Sequence, residues 1–182
     1  MSRTKAREIA LHLIYEMDFH EFETEESILE RLGKEECASI AGENELYAGP
    51  LSAKQTAYSV QVVQGVAAHR DELDKQIAGN LKGWSLKRVT RISRAVLRLA
   101  LYEMDYVHDV PTGAAINEAV ELAKAYDSEE AGKFVNGILG SLGRAERSKP
   151  AAGSAEAIPA AAPDGAGSAS ETGETNAGDA DA

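Results

Sequence analysis

Apolar residues recur at intervals of three and four through most of residues 1–147, which is the period of an α-helix rather than that of a strand. In the first segment this spacing places five residues on one helical face: Ala6, Ile9, Ala10, Leu13 and Met17. Further helices are predicted at 27–32, 51–69 and 70–81, then after an N-cap at Ser85, from Pro111, and after an N-cap at Ser128. About seven helices and no convincing strand predict an all-α fold.

The composition changes after residue 147. Residues 148–182 contain 12 Ala, 5 Gly and a single large apolar residue, Ile158, and they carry a net charge of −5. Such a segment cannot bury enough apolar surface to offset roughly 1–2 kcal/mol of backbone entropy per ordered residue. We therefore expect a helical domain over residues 1–147, with a net charge of −6, and a disordered, acidic Ala/Gly tail over residues 148–182.

Charge and cysteine content exclude several classes of protein. The whole chain has a net charge of −11, which disfavours indiscriminate binding to polyanions or membranes. The single cysteine, Cys37, excludes an intramolecular disulfide and a zinc site built from cysteines alone. No apolar run approaches the roughly 18–20 residues that span a bilayer, and charges interrupt the apolar positions of the N-terminus. We expect a cytoplasmic protein without a membrane segment.

No set of residues has the pattern of a catalytic or metal site. His12, Glu16 and His20 share one helical face, but metal sites normally draw their ligands from more than one element. Glu118 and Glu121 share an outward face instead of facing each other across a cleft, as an acid–base pair must. Neither GxxxxGK[ST] nor GxGxxG occurs. The sequence predicts no catalytic residue, no metal and no cofactor.

A basic stripe distinguishes the helix after Ser85. Residues 75–102 contain seven basic residues and no acid, and at 100° per residue four of them fall within a 60° stripe: Lys87, Arg91, Arg94 and Arg98. Two interpretations stay open. The stripe is solvated or paired with acids of neighbouring helices, such as Glu118 or Glu121, or else it faces phosphates. Glu103 lies on the apolar side, so it needs either a buried partner or a frayed helix end.

Four blocks of sequence, in a shared order and spacing, resemble a known family. They are KAREIALHLIYEMD at 5–18, RAVLRLALYEM at 94–104, VPTGAAINEAVELAKAY at 110–126 and KFVNGILG at 133–140. Over residues 3 to about 143 the chain resembles the bacterial NusB transcription antitermination factors. It departs from them in a sparse basic N-terminal arm, in Ala114 where a bulkier aliphatic residue is usual, and in the acidic tail.

The resemblance implies two small three-helix subdomains packed together. It also implies binding to the boxA element in the leader RNA of ribosomal RNA operons. That binding involves NusE, a small-subunit ribosomal protein, within an RNA polymerase elongation complex that resists termination. The RNA contacts that it implies by position are Arg3, Lys5, Arg7, Tyr15, Lys133, Phe134 and Asn136.

Each implied contact has a physical role and an alternative. Arginine and lysine bind phosphates, or else they belong to a flexible, solvated terminus. Tyr15 or Phe134 could stack on unpaired bases, but periodicity places both rings equally well in the core. Asn136 could read a base edge or cap a turn near Gly137. Two other functions remain open: a substrate-binding module like those fused to RNA methyltransferases, and a protein-only adaptor. The expected tail leaves no room for a cofactor-binding domain after the helices.

Truncation after Arg147 tests the expected domain boundary. Because the tail offers almost no apolar surface, we expect the thermal midpoint of the truncated protein to equal that of the full chain, measured by circular dichroism. A midpoint lower by many degrees would show that the tail contributes to the folded domain.

Overall fold

The computed structural model describes residues 3–19, 25–32 and 51–148, and these ranges contain seven α-helices, one short 3₁₀ helix and no strand. The helices are α1 (Thr4–Glu16), α2 (Glu25–Arg31), α3 (Ala53–Ala68), α4 (Arg70–Asn80), α5 (Arg91–Tyr106), α6 (Thr112–Tyr126) and α7 (Glu129–Ser148). The 3₁₀ helix, Leu86–Arg88, lies between α4 and α5. The predicted all-α class is confirmed, while the expected tail lies outside the described residues except for Ser148, the last residue of α7.

Helix α5 lies at the centre of the packing. It contacts α1, α3, α6 and α7, while α4 packs against α5 and α7. Near the N-terminus, α1 packs on α3, and α2 also packs on α3. Near the C-terminus, α6 packs closely on α7. The apolar face predicted for α1 is buried in this core: Ala6, Ile9, Ala10, Leu13 and Met17 are each at most 6% exposed.

Side-chain caps place the ends of the main helices. Ser52 and Gln55 form a capping box at the start of α3, in which the Gln55 amide donates to Ser52 Oγ at 3.3 Å. The predicted cap at Ser128 is confirmed, because its Oγ accepts the Ala131 amide at 3.1 Å. The cap predicted at Ser85 is wrong: α5 begins only at Arg91, where Thr90 Oγ1 accepts the Ser93 amide at 3.2 Å.

The later start of α5 divides the predicted basic stripe. Lys87 belongs to the 3₁₀ helix, and the extended backbone of Val89 separates it from the three arginines on α5. Lys87 and Arg91 are exposed, whereas Arg98 is 2% exposed. A single serine at a position compatible with capping therefore did not identify the helix start, because one 3₁₀ turn intervenes before the α-helical hydrogen bonds begin.

The buried end of the stripe surrounds Asp18, just beyond α1. Its carboxylate accepts hydrogen bonds from Arg98 at 3.0 Å, Arg94 at 2.6 Å and Arg70 at 2.8 Å. Arg98 also makes a two-pronged contact with Asp74 on α4, with both N–O distances 2.8 Å. The interpretation that these arginines pair with acids is therefore correct for Arg94 and Arg98, and the cluster joins α1, α4 and α5.

The predicted identity of those acids was wrong. Glu118 pairs instead with Arg7 of α1, at 2.8 Å, and Glu121 pairs with Lys124 one turn along its own helix, at 3.0 Å. The reason is the packing order: the arginine face of α5 is directed towards α4 and the end of α1. Sequence separation alone had suggested α6, the next helix in the chain.

The surroundings of Asp18 also set its titration. Burial by itself would raise the pKa of Asp18, but hydrogen bonds from Arg98 and Arg94 outweigh burial and hold the pKa below its usual value. A carboxyl group whose pKa is lowered by folding stabilises the fold above its unfolded pKa, and this stabilisation is lost as the pH falls through the folded pKa. The ionised form of Asp18 therefore contributes to stability at neutral pH, and this contribution is lost in acid.

A close approach of α3 to α5 depends on Gly65. A Cβ atom at this position would lie 1.9 Å from the Tyr102 ring, so only glycine leaves room for that ring against the α3 backbone.

Within the described ranges, no helix has the combination of length and apolar character needed to cross a membrane.

Replacing Arg98 and Lys87 in turn tests the division of the stripe. Arg98→Ala leaves Asp18, whose side chain is 6% exposed, with fewer partners, so we expect a loss of about 3–5 kcal/mol in the free energy of unfolding. Lys87→Ala, at an exposed position, should change it by less than about 0.5 kcal/mol. Urea denaturation at neutral pH measures both, and equal losses would contradict the division.

Candidate nucleic-acid interface

The KFVNG segment lies in the second turn of α7 and exposes part of its sequence. Val135 is fully buried and holds the helix to the core, while Lys133 and Asn136 are exposed. Phe134 is half-buried at the edge of the core, so the structure places its ring at the surface without detaching it from the core. Lys133 and Asn136, three residues apart, lie on neighbouring turns of one outward face.

An open cleft of about 530 Å³ separates this part of α7 from the segment that follows α4. We call it the α7 cleft, and its lining residues are Asn80, Leu81, Lys82, Trp84, Lys133, Phe134, Gly137, Ile138, Ser141 and Arg144. Three of these residues are cationic and none is a carboxylate, although the whole chain has a net charge of −11. The cleft is thus a locally positive, partly aromatic surface on an acidic protein.

Three cationic or aromatic residues of the cleft were not identified from the sequence: Lys82, Trp84 and Arg144. Lys82 and Trp84 belong to what the sequence showed only as a break after Asn80, and Arg144 lies beyond the family motif. The available signal was a tryptophan close to a lysine in a short linker, Lys82–Gly83–Trp84. Nothing in the sequence indicated that α7 packs beside this linker. The packing of α4 against α7 brings the two segments together.

Arg3 lies on a different part of the protein. It is at the start of α1, where its guanidinium lies 5.7 Å from the centre of the Tyr58 ring and forms an ion pair with Asp109. It lines a second cavity, of about 570 Å³, together with Lys54 at the start of α3. Lys5, the second residue of α1, is half-buried. The basic N-terminal residues and the α7 cleft therefore do not share one cavity.

Arg7 is buried in an ion-paired network. Its Nε and Nη2 donate to the Glu103 carboxylate at 2.9–3.1 Å, and Nη1 donates to Glu118 at 2.8 Å. The Tyr58 hydroxyl donates to the same Glu103 carboxylate at 2.6 Å, and burial raises the pKa of Tyr58. Glu103 thus has the buried partner that its apolar position required. The guanidinium of Arg7, on a residue 5% exposed, is already committed to two carboxylates.

Tyr15 lies at the other end of α1, half-buried, with its ring 5.6 Å from that of Phe19. Phe19 is 52% exposed, and the Arg91 guanidinium lies 4.6 Å from its ring centre. Sequence analysis did not identify the Phe19–Arg91 contact, because the two residues are 72 positions apart and only the packing of α1 beside α5 joins them.

His12 belongs to the core boundary rather than to an open site. Its ring packs edge-on against Tyr126 at 5.2 Å, and burial lowers its pKa. The described ranges hold no cluster of three His, Cys, Asp or Glu side chains suited to a metal ion. His20 and Cys37 lie outside those ranges.

The seven predicted contacts consequently occupy separate regions. Lys133 and Phe134 line the α7 cleft, with Asn136 exposed on the same helix; Arg3 and Lys5 lie at the start of α1; Tyr15 lies near its end. Arg7 alone is enclosed. The α7 cleft combines cations with aromatic rings, which is the chemistry that holds unpaired bases and phosphates.

Comparison with known proteins identifies the family. The model of the NusB family matches residues 4–144. Transcription antitermination protein NusB of Acetivibrio thermocellus is 41% identical over 78% of this chain and 88% of its own length, and that of Bacillus subtilis is 37% identical over 78% and 95%. A crystal structure of antitermination factors NusB and NusE in complex with dsRNA is similar, with a TM-score of 0.59 and 26% identity over 79% of this chain and 96% of that chain. The chain belongs to the NusB family of transcription antitermination proteins.

Proposed function

We propose that this protein is a non-enzymatic antitermination factor that acts in the cytoplasm. It binds the boxA element of ribosomal RNA leader RNA together with NusE and so keeps RNA polymerase elongating. Support comes from the family match over residues 4–144 and from the similar structure in which NusB is bound to NusE and dsRNA. The α7 cleft, with Lys133 and Phe134 on a lining free of carboxylates, is the single observation that carries RNA binding.

The proposed RNA contacts follow the accessible residues. Lys133 would contact a phosphate, Phe134 would stack on a base, and the exposed amide of Asn136 would donate to or accept from a base edge. Arg3, Lys5 and Tyr15 would extend the contact along α1. We assign Arg7 a supporting role instead, because its guanidinium is held by Glu103 and Glu118.

Charge explains why a protein partner is needed. The 147 residues of the expected folded domain have a net charge of −6, so few phosphates are neutralised and the remaining carboxylates repel the strand. NusE would supply further surface and raise affinity without requiring more cations from this chain. The expected dependence on salt is therefore shallow, at roughly 0.7 log units of binding constant per phosphate contact for single strands.

The first test compares RNA binding with and without NusE. We expect weak binding by the protein alone, and tight binding of the NusE complex to a boxA single strand in preference to a scrambled strand, measured by fluorescence anisotropy at several salt concentrations. A duplex of the same sequence is included, since the similar solved complex contains dsRNA. Equal affinity of the NusE complex for boxA and scrambled strands would contradict the proposal, and loss of all RNA binding would favour a protein-only adaptor.

Phe134→Ala tests the stacking contact. If the ring stacks on a base, the substitution should weaken boxA binding by about 1–3 kcal/mol. Val135→Ala is the matched control, because this neighbouring side chain is fully buried and should lower thermal stability with little effect on RNA binding by the folded protein. If circular dichroism shows that Phe134→Ala unfolds the protein, the ring belongs to the core and the stacking role is wrong.

Substitutions of Arg7 and Lys133 should have opposite effects on stability and on RNA binding. Arg7→Ala leaves Glu103, which is completely buried, without its main counter-charge, so the free energy of unfolding should fall by about 3–5 kcal/mol. Lys133→Ala, at an exposed position, should leave stability within about 0.5 kcal/mol but weaken boxA and scrambled RNA alike. Chemical denaturation and anisotropy separate the two effects. A fully stable Arg7→Ala variant would contradict the supporting role.

A further inference from the structure

Trp84 is an exposed indole in a fixed position. At 61% exposure it is the most exposed of the large apolar side chains in the described ranges, ahead of Phe19 and Leu29. A tryptophan left in water forgoes a large gain from burial, so its position beside a cleft indicates a surface that a ligand covers. Trp84 lines the α7 cleft together with Phe134.

The linker that carries Trp84 is anchored at both ends. Leu81 precedes it with 9% exposure and Val89 follows it with 8% exposure, so both belong to the core. The Arg88 amide donates to the Ser85 carbonyl at 2.9 Å in the 3₁₀ turn. Gly83, with φ of +75°, adopts the left-handed conformation that glycine accommodates without strain, and it directs the chain between these anchors. The backbone thus holds the indole outward between two buried residues.

The chemistry around the indole favours a nucleic acid strand. Lys82, beside Trp84 in the linker, and Arg144, on α7, line the same cleft, and the lining contains no carboxylate. Aromatic rings beside cations are the pattern by which proteins hold single strands, because every base has a π-face and every nucleotide a phosphate. A protein segment bound here would need an acidic character to match the three cations of the lining.

We propose that Trp84 stacks on a base of the bound RNA and that Lys82 and Arg144 contact its flanking phosphates. This inference rests on the proposed RNA-binding function and extends the RNA surface from the KFVNG segment across the cleft to the linker between α4 and α5. Trp84 and Phe134 then provide stacking rings from two different elements on one cleft, so the bound strand crosses from α7 to the linker.

The chain itself provides the probe, because Trp84 is its single tryptophan. With the NusE complex, we expect titration with a boxA oligonucleotide to change Trp84 fluorescence and to saturate at the same concentration as anisotropy of the labelled strand. NusE without RNA is titrated separately to give its own contribution. Trp84→Ala should raise the Kd for boxA about 5- to 150-fold, and Trp84→Phe should restore most of the affinity.

Matched controls separate stacking from general surface effects. Leu29→Ala removes another exposed apolar side chain, on α2, and should leave the Kd unchanged. Lys82→Gln and Arg144→Gln should each weaken binding and reduce the salt slope by about 0.7, whereas Lys75→Gln, exposed on α4 but outside the cleft lining, should not. Circular dichroism verifies that each variant is folded.

The possible results are distinguishable. If boxA binds tightly with no fluorescence change and Trp84→Ala has the wild-type Kd, this inference is wrong while the proposed function stands. If NusE alone changes the fluorescence and Trp84→Ala weakens NusE binding but not RNA binding, the cleft binds protein and the inference is overturned. If the wild-type complex shows no preference for boxA, the proposed function and this inference both fail.

Discussion

The buried pairing of Glu103 with Arg7 is the interaction on which the arrangement of the helices depends. A carboxylate with no exposure, on the apolar side of the central helix, is tolerated only because Arg7 and Tyr58 satisfy it from α1 and α3. The pairing therefore specifies which faces of three helices meet. Such networks add less stability than apolar packing of the same volume, but the loss of one partner is costly because it strands a buried charge.

A second cluster of ion pairs joins helices at the opposite end of α1. Asp18 forms ion pairs with Arg70, Arg94 and Arg98. Arg94 and Arg98 would make α5 a basic surface, but they are instead used to bind α1 and α4. Pairing of this kind buries the charge of Arg98 and half-buries that of Arg94. The cations that line the α7 cleft differ from these arginines, because the lining contains no carboxylate that could neutralise them.

Buried cations that hold the helices together are distinct from the exposed cations of the proposed RNA surface. Motif residues that look equivalent in the sequence divide according to burial, with Arg7 inside and Lys133 outside. Both are cations within family motifs, yet only Lys133 has a charge available to a phosphate. The same division applies within KFVNG, where Val135 anchors α7 and its neighbours on either side reach the surface. A rigid helix thereby presents the proposed contacts in a defined geometry.

The sequence by itself determined the helical class, the buried face of α1, the cap at Ser128 and the family, because helical period, capping chemistry and motif order are local properties. Only the tertiary structure decided the partners of Arg94, Arg98 and Glu103, since charge pairing depends on which helices become neighbours. It also decided that a short linker with Trp84 lies beside α7. Residue spacing and composition do not predict this contact, because the two segments that line the cleft are about 50 residues apart in the chain. The packing of α4 against α7 brings them together.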